Sequence, residues 1–419
     1  MSGFNQFERK LANILSKFPV VKKTVKRLYS FLNYLRYKKN YSYMSKNSPV
    51  QYGVEKESFF GYYDKSPLSQ TGEYLLYQQS AVTKQAPAIS NAQLVCESNT
   101  KVILYSADIK AFNWQQGCKL QWLSDTTFIY NDFDENSNSY VSKIINVLDS
   151  SCEKTLPLPI YDCFKDEFAL CISYERLAKF SPDYGYFSKP LNESLLDLKD
   201  DGIWLMNLDA GSTELLLSLA FISELTSEGY HISACEDADH TVNHIMISPD
   251  GNGFIFIHRY FINGQRFDRL IHSDMNAKMT VIASNEMVSH CFWVDEYTIL
   301  GYLRGPGSRD GYWLIDINTC NFKPFAHDKL DQYGDGHPNV KGDWFVTDTY
   351  PDKARMQHLL LCNLKTEEVL ELGQFFHGFE YDAETRCDLH PRFSVDGESV
   401  FFDSVFTGKR HLYQLDIKQ

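Results

Sequence analysis

Four histidines, His244, His290, His337 and His390, follow one another at intervals of 46, 47 and 53 residues in a chain of 419 residues that holds only 12 histidines. Each stands ahead of an apolar run that leads into a polar turn: HIMISPDG, HCFWVDE, HPNVKGDW and HPRFSVDG. Neutral imidazole is the commonest protein metal ligand, and three or four imidazoles with open positions suit Mn²⁺, Fe²⁺, Ni²⁺ or Zn²⁺ better than Mg²⁺. The bland alternative for each is a strand-end hydrogen bond to a neighbouring element. The common register of the four favours the metal reading, because separate structural histidines have no reason to share one position in a repeat.

The elements that would bring them together are legible as a repeat of about 45 to 50 residues. The clearest copies are HIMISPDGNGFIFI and HPRFSVDGESVFFD, where an apolar strand enters an SPDG-like turn and a second strand leaves it. Weaker copies begin near Tyr62, Lys119, His290 and His337, and the most degenerate unit runs from Asp166 to Ala220. Outer hairpins such as GYWLIDINTCNFKPF and HLLLCNLKTEEVLEL complete the units. Asp-Gly and Asn-Gly turns between alternating apolar residues, and aromatics at 15% of the chain, argue for four-stranded β-blades. Seven units are counted, the last three strands long. The expected fold is therefore an all-β, seven-bladed propeller over residues 48–419, closed by a strand around Val50 to Val54.

In such a ring the starts of the inner strands line the channel mouth. Further polar groups fall there: Tyr62, Tyr63, Asp64, Gln121, Asp132, His240, Asp335, Asp388 and Arg392. The strand after His244 leads to His258, Arg259 and Arg266, and the strand after His337 to Asp348, Tyr350 and Arg355. Cations and tyrosines at the mouth of an acidic body imply local selection for an anionic, hydroxyl-rich ligand such as a uronate sugar.

Charge divides the chain. Residues 1–50 carry 11 Lys or Arg against the single acid Glu8, and the rest is about −23, within an overall −13. Residues 1–47 read as a basic helical arm and linker: Phe4, Phe7, Leu11, Ile14, Leu15 and Phe18, then after Pro19 Val21, Val25, Leu28, Leu32 and Leu35, recur at helical spacing. Their polar faces are cationic, so residues 1–40 are expected to bind an anionic membrane surface. Packing on the body or a partner is the alternative. The acidic body excludes nucleic acid as a partner. No uninterrupted apolar stretch near the start forms a secretory signal, and ten cysteines without a CxxC pair suit a reducing compartment. The expected location is cytoplasmic, peripheral at the inner membrane face.

The strings NHIMISPDG, SHCFWVDE, GDGHPNV, CDLHPRFSVDG, FVTDTYPD and FDSVFTGKRHLY together resemble the seven-bladed propellers related to oligogalacturonate lyase, and more loosely the propeller-type ulvan lyases. The resemblance is best over residues 240–419, traceable over 59–240, and excludes the arm. It implies a divalent metal, manganese preferred with zinc, iron or calcium as alternatives, held by His290, His337 and His390. The family's glutamine has no counterpart, and Asp388 of the CDLH string stands in its region. It also implies β-elimination on a uronate: Arg259 or Arg266 neutralises the carboxylate, and His244, His258 or Tyr350 acts as base or acid. Tyr63, Asp64, Gln121 and Arg392 are the expected substrate-binding residues. The expected protein is a polysaccharide or oligosaccharide lyase of cell-surface polysaccharide metabolism, its substrate an anionic, lipid-linked glycan. A glycoside hydrolase on the same site, and a non-catalytic glycan-binding or scaffold propeller, are the competing readings.

Overall fold

The computed structural model describes residues 19–190, 194–227, 230 and 238–418, with no side-chain account of residues 19–24 and 26. Seven antiparallel sheets follow one another along the chain. Blade 1 comprises Glu57–Phe59, Tyr74–Ser80, Ala92–Ser98 and Ile103–Ile109; blade 2 Gln121–Trp122, Thr127–Asp134, Ser139–Asn146 and Ser151–Leu156. Blade 3 comprises Ile160–Phe164, Phe168–Cys171, Gly202–Asn207 and Thr213–Ser218, with the helix Tyr174–Phe180 inserted between its second and third strands. It therefore starts at Ile160, ahead of the Asp166 start read from the repeat. Blade 4 is Asp239–Ile247, Gly253–Ile262, Gln265–Asp274 and Met279–Ala283; blade 5 Val288–Trp293, Thr298–Gly305, Arg309–Asp316 and Phe322–Pro324. Blade 6 is Asn339–Lys341, Trp344–Thr347, Met356–Asn363 and Val369–Phe376, and blade 7 is Arg392–Phe393, Ser399–Ser404 and His411–Asp416.

Closure occurs as expected, over a shorter segment. Val50–Gln51 pairs with the last strand, Val50 opposite Gln414 and Gln51 opposite Tyr413. The repeat's turn signal has a direct physical basis. In Ser248–Gly251 the serine hydroxyl donates to Asp250 at 2.6 Å and accepts from the Gly253 N–H at 3.1 Å, while Gly251 takes φ 76°. Ser394, Asp396, Ser399 and Gly397 repeat these roles in blade 7, with Gly397 at φ 75°.

Apolar side chains fill the spaces between neighbouring blades. One cluster joins Leu76 and Leu94 of blade 1 to Phe128, Tyr130 and Ile145 of blade 2 and to Phe401 and Leu412 of blade 7. Each such side chain, fully buried, contributes about 1.5–3 kcal/mol, so the ring is held by contact between blades as well as by pairing within them.

Ahead of the ring, Pro19–Tyr37 forms the second of the two expected arm helices. The first, over Phe4 to Phe18, lies outside the described residues. The segment read as a linker contains a strand: Tyr43–Ser45 pairs with Val369–Phe376 as a fifth strand on blade 6.

Candidate functional site

The four histidines converge. The His290 and His337 ring centroids lie 4.0 Å apart, His337 and His390 4.3 Å, and His244 and His290 5.4 Å. Tyr62 is the hub, its ring 5.0–6.5 Å from all four imidazoles. The backbone is shaped for this. The pairing of the inner strand of blade 4 shifts register between Asn243 and Met246, and that of blade 5 between Val288 and Cys291, so His244 and His290 sit at bulges. His244 and His390 adopt left-handed backbone, φ 53° and 44°. Bulges and left-handed non-glycine residues re-aim side chains at a local energetic cost, and they concentrate at functional sites.

Each imidazole is held through Nδ1. That of His244 meets the Tyr62 hydroxyl at 2.5 Å, and that of His290 meets the Ser289 hydroxyl at 3.0 Å and Asp335 at 3.4 Å. That of His337 bonds Asp348 at 2.8 Å, and that of His390 the Gly61 carbonyl at 2.9 Å. Donation from Nδ1 to a carboxylate or carbonyl places the lone pair on Nε2, the arrangement in which metal-ligating histidines are oriented. The Nε2 atoms of His244 and His390 are buried with no hydrogen-bond partner. Burial, then the charges of Arg259 and the neighbouring imidazoles, lowers the His244 pKa well below the histidine range. Burial followed by His337 and Arg392 does the same to His390, and burial with His337 lowers His290. For His337 burial acts in the same sense but Asp348 outweighs it, and the net shift is upward.

Among the described residues one group of donors is spaced for a metal: the ligand atoms of His337, Asp388 and His390 lie within 4.8 Å of one another, all buried. His290 lies outside that group although its ring abuts His337. Two imidazoles beside one carboxylate, with the Nε2 of His390 orphaned, fit a borderline transition metal. They do not fit calcium, which takes an oxygen cage. Arg386 holds Asp388 through Nε, 3.0 and 2.8 Å from its two oxygens, and its guanidinium lies 5.4 Å from the Tyr350 ring centroid.

The structure distributes the other expected site residues unevenly. Tyr63 packs on the rings of His290, His337 and His390 and donates its hydroxyl to the Cys291 carbonyl. Asp64 is spent on a buried ion pair with Lys119 at 3.1 Å. Arg259, buried and bonded to Asp268 at 3.0 Å, directs its charge at His244. Tyr350 is 37% exposed with its ring 6.1 Å from that of His337.

Four expectations are corrected. His258 is not at the cluster: its Nε2 meets His240 at 3.0 Å and its Nδ1 meets Arg269, because the strand pairing that sets it opposite Val242 turns it into a separate buried network. Arg266 sits half exposed beyond the Gly264 turn and pairs with Asp268. Gln121 spends both ends of its amide on the blade 3 backbone, at the Tyr161 carbonyl and the Cys163 N–H. Arg392 is fully buried against Asp403 and the Gly61 and His390 carbonyls, which makes it a structural bridge between blades 7 and 1.

Sequence reasoning missed Arg386, Lys119, Tyr161 and Tyr184. Tyr161 donates to Asn243 and accepts the His244 N–H, and the Tyr184 ring lies 5.3 Å from that of His244. Arg386 carried the one available signal, since it stands four residues before His390 in TRCDLH.

Fold and site thus define a seven-bladed β-propeller with a buried histidine cluster at the end of the ring where the inner strands begin. No family model and no curated protein matches the chain. Among solved structures it is similar to an oligogalacturonate lyase in complex with manganese, with a TM-score of 0.58 over 91% of this chain and 96% of that one at 13% identity. It is also similar to an oligogalacturonate lyase from Vibrio parahaemolyticus, with a TM-score of 0.56 over 90% and 97% at 14% identity. At such identities the likeness establishes the shared seven-bladed architecture.

Proposed function

We propose that this protein is a metal-dependent lyase that cleaves a uronate-containing glycan by β-elimination, in the metabolism of cell-surface polysaccharide. The observation that carries the reading is the set of imidazoles fixed at Nδ1, with the orphaned Nε2 of His390 inside the His337, Asp388 and His390 donor group. The fold shared with a lyase that holds manganese supports it.

His337, His390 and Asp388 would hold the metal, with His290 alongside. The chemistry a divalent cation held there would supply is neutralisation of the uronate carboxylate, which would make the C5 proton more acidic. Arg259 and Arg386 add fixed positive charge around the same anion. His244, kept neutral by burial and Arg259, is suited to accept the C5 proton at Nε2 while Tyr62 fixes its ring through Nδ1. The electron pair of the C5–H bond forms the C4=C5 double bond, the C4–O bond breaks, and the leaving oxygen takes a proton. Tyr350, at the solvent edge of the cluster, is placed to give it.

Elemental analysis of the purified chain, followed by incubation with uronate-containing oligosaccharides, tests this. The reading requires about one transition metal per chain and products with a conjugated double bond absorbing in the ultraviolet, with turnover stopped by a chelator. New reducing ends without unsaturation would establish a hydrolase instead. Glycan binding without products would leave a binding module.

A further inference from the structure

The helix Pro19–Tyr37 docks on the ring the wrong way round for a soluble amphipathic helix. Among the described residues its aromatic contacts to the body are those of Tyr34, whose ring lies 5.7 Å from Phe376 and 5.5 Å from Phe379, and of Phe31, 5.9 Å from Phe379. Of the helix residues whose side chains are described, Ser30, Asn33 and Tyr34 are half-buried. The aliphatic stripe Val25, Leu28, Leu32 and Leu35, at steps of three, four and three, faces outward, with Leu28, Leu32 and Leu35 at 58%, 56% and 50% exposure. An apolar stripe normally turns toward the core. Exposed cations, Arg27, Arg36, Lys38 and Lys39, flank it, and residues 1–50 are strongly cationic as a whole while the body is acidic.

The helix also has a definite position relative to the histidine cluster. Phe376 ends the fourth strand of blade 6, at the same end of the blade as His337, which precedes the first strand, and Asp348, which follows the second. A short path of contacts joins the two places. The Arg355 guanidinium covers Phe379 at 4.8 Å and bonds His377, whose Nε2 accepts the Cys387 N–H at 3.3 Å, next to Asp388.

We infer that this helix is an interfacial anchor that lays the channel-mouth end of the propeller against an anionic lipid bilayer. The leucine stripe enters the acyl boundary, the flanking cations meet lipid phosphates, and the Tyr34–Phe379 contact fixes the ring to the anchor. No helix among the described residues is long and apolar enough to cross a membrane, and the helix is about 28 Å long, so it lies in the interface plane. Charge complementarity selects the lipid surface: the cationic flank matches anionic headgroups and the acidic body does not. The inference is independent of the reaction proposed above, since it concerns binding alone.

Cosedimentation of the full chain with phosphatidylcholine vesicles, with and without phosphatidylglycerol, tests it. Binding is expected only with the anionic lipid and should weaken steeply as salt is raised. Replacing Leu28, Leu32 and Leu35 by serine should lower partition by roughly tenfold or more, and Arg27→Gln with Lys38→Gln and Lys39→Gln should weaken binding and make its salt dependence shallower. Unchanged thermal unfolding of both variants shows that the ring remains folded. Hydrogen exchange on vesicles should protect residues 25–37 and 376–381 and leave the Pro249–Gly253 turn, at the opposite end of the ring, unprotected. Undiminished binding by the leucine variant overturns the inference. So does a dimer that dissociates in that variant without any vesicle binding, which would assign the stripe to a second copy. Protection of the stripe by residues 1–18 in the absence of lipid, with no gain on adding vesicles, overturns it as well.

Discussion

Asp348 grips His337 twice with one oxygen: Oδ1 accepts both the His337 backbone N–H and its ring Nδ1, each at 2.8 Å. The other oxygen accepts the His390 N–H at 3.0 Å. One buried carboxylate at the end of a blade 6 strand therefore fixes the main chain of two metal-ligand candidates on adjacent blades and the tautomer of one. Its pKa is lowered despite its burial, because His337 and the backbone donors favour the charged form.

From this follows the first prediction. Asp348→Asn keeps the shape but donates from one end where the carboxylate accepted at both, so it loses either both bonds to His337 or the bond from the His390 N–H. Metal affinity should fall about 10- to 100-fold, and a buried His337 without its partner should cost about 3–5 kcal/mol of stability. Titration calorimetry with Mn²⁺ and denaturant unfolding check the two numbers separately. Wild-type affinity in the variant would show that Asp348 serves the fold only.

The second prediction separates the histidines by role. His337→Ala, His390→Ala and Asp388→Ala each remove a donor of the one metal-spaced group and should each abolish stoichiometric metal. His290→Ala should weaken metal binding less, since His290 lies outside that group. His244→Ala should retain metal and lose turnover, because its Nδ1 is bound to Tyr62 and its Nε2 is the proposed base. Metal analysis alongside the ultraviolet assay distinguishes the three classes. If His244→Ala loses metal as fully as His390→Ala, the base assignment fails.

What could be read from the sequence, and what could not, divides along physical lines. The blades were legible because the Ser-Pro-Asp-Gly turn is chemically specified: Ser248 and Ser394 cap their turns with the same bonds, and the glycines take backbone that other residues resist. The histidine register followed from those turns, and the closing strand from the one strand that blade 7 lacks. The fate of His258 was not legible, because a fully buried strand hides the alternation that tells one face from the other; every residue from Gly253 to Tyr260 is buried. Nor was Tyr43–Ser45, since three residues carry no period and their pairing depends on an exposed blade edge elsewhere in the chain. The outward leucine stripe was hidden for the converse reason. Periodicity gives an amphipathic helix its faces but not the face it docks with, and here Tyr34 decides.

The third prediction concerns closure. Removing residues 1–41 deletes the helix and spares both Tyr43–Ser45 and Val50–Gln51; the ring should lose little stability. Removing residues 1–54 deletes the fourth strand of blade 7, including the Tyr52 N–H to Leu412 carbonyl bond at 2.9 Å and the bond between the Tyr52 and Gln414 side chains at 2.6 Å. It also leaves His411–Asp416 as an open edge. That truncation should unfold at a clearly lower temperature and tend to aggregate. Equal melting temperatures for the two truncations would show that the Val50–Gln51 pairing contributes nothing to closure.

The fourth prediction uses a histidine remote from the cluster. Burial lowers His358, but its Nδ1 bond to Glu371 at 2.7 Å and the approach of Asp352 to its Nε2 at 3.5 Å outweigh it and raise its pKa to about 9. A folded-state pKa above the unfolded value of about 6.5 means that folding binds a proton more tightly. The stabilisation is complete below about pH 6.5 and is lost as pH rises through 9. Its size should be about 1–3 kcal/mol at the lower pH, allowing for the partial exposure of the pair. His358→Gln has no proton to gain, so the stability difference between wild type and variant should be largest near pH 6 and shrink steadily toward pH 10. Denaturant unfolding of both proteins across that range measures the difference directly. A gap that stays constant with pH would mean that His358 contributes packing and neutral hydrogen bonds, with no charged bridge between Asp352 and Glu371.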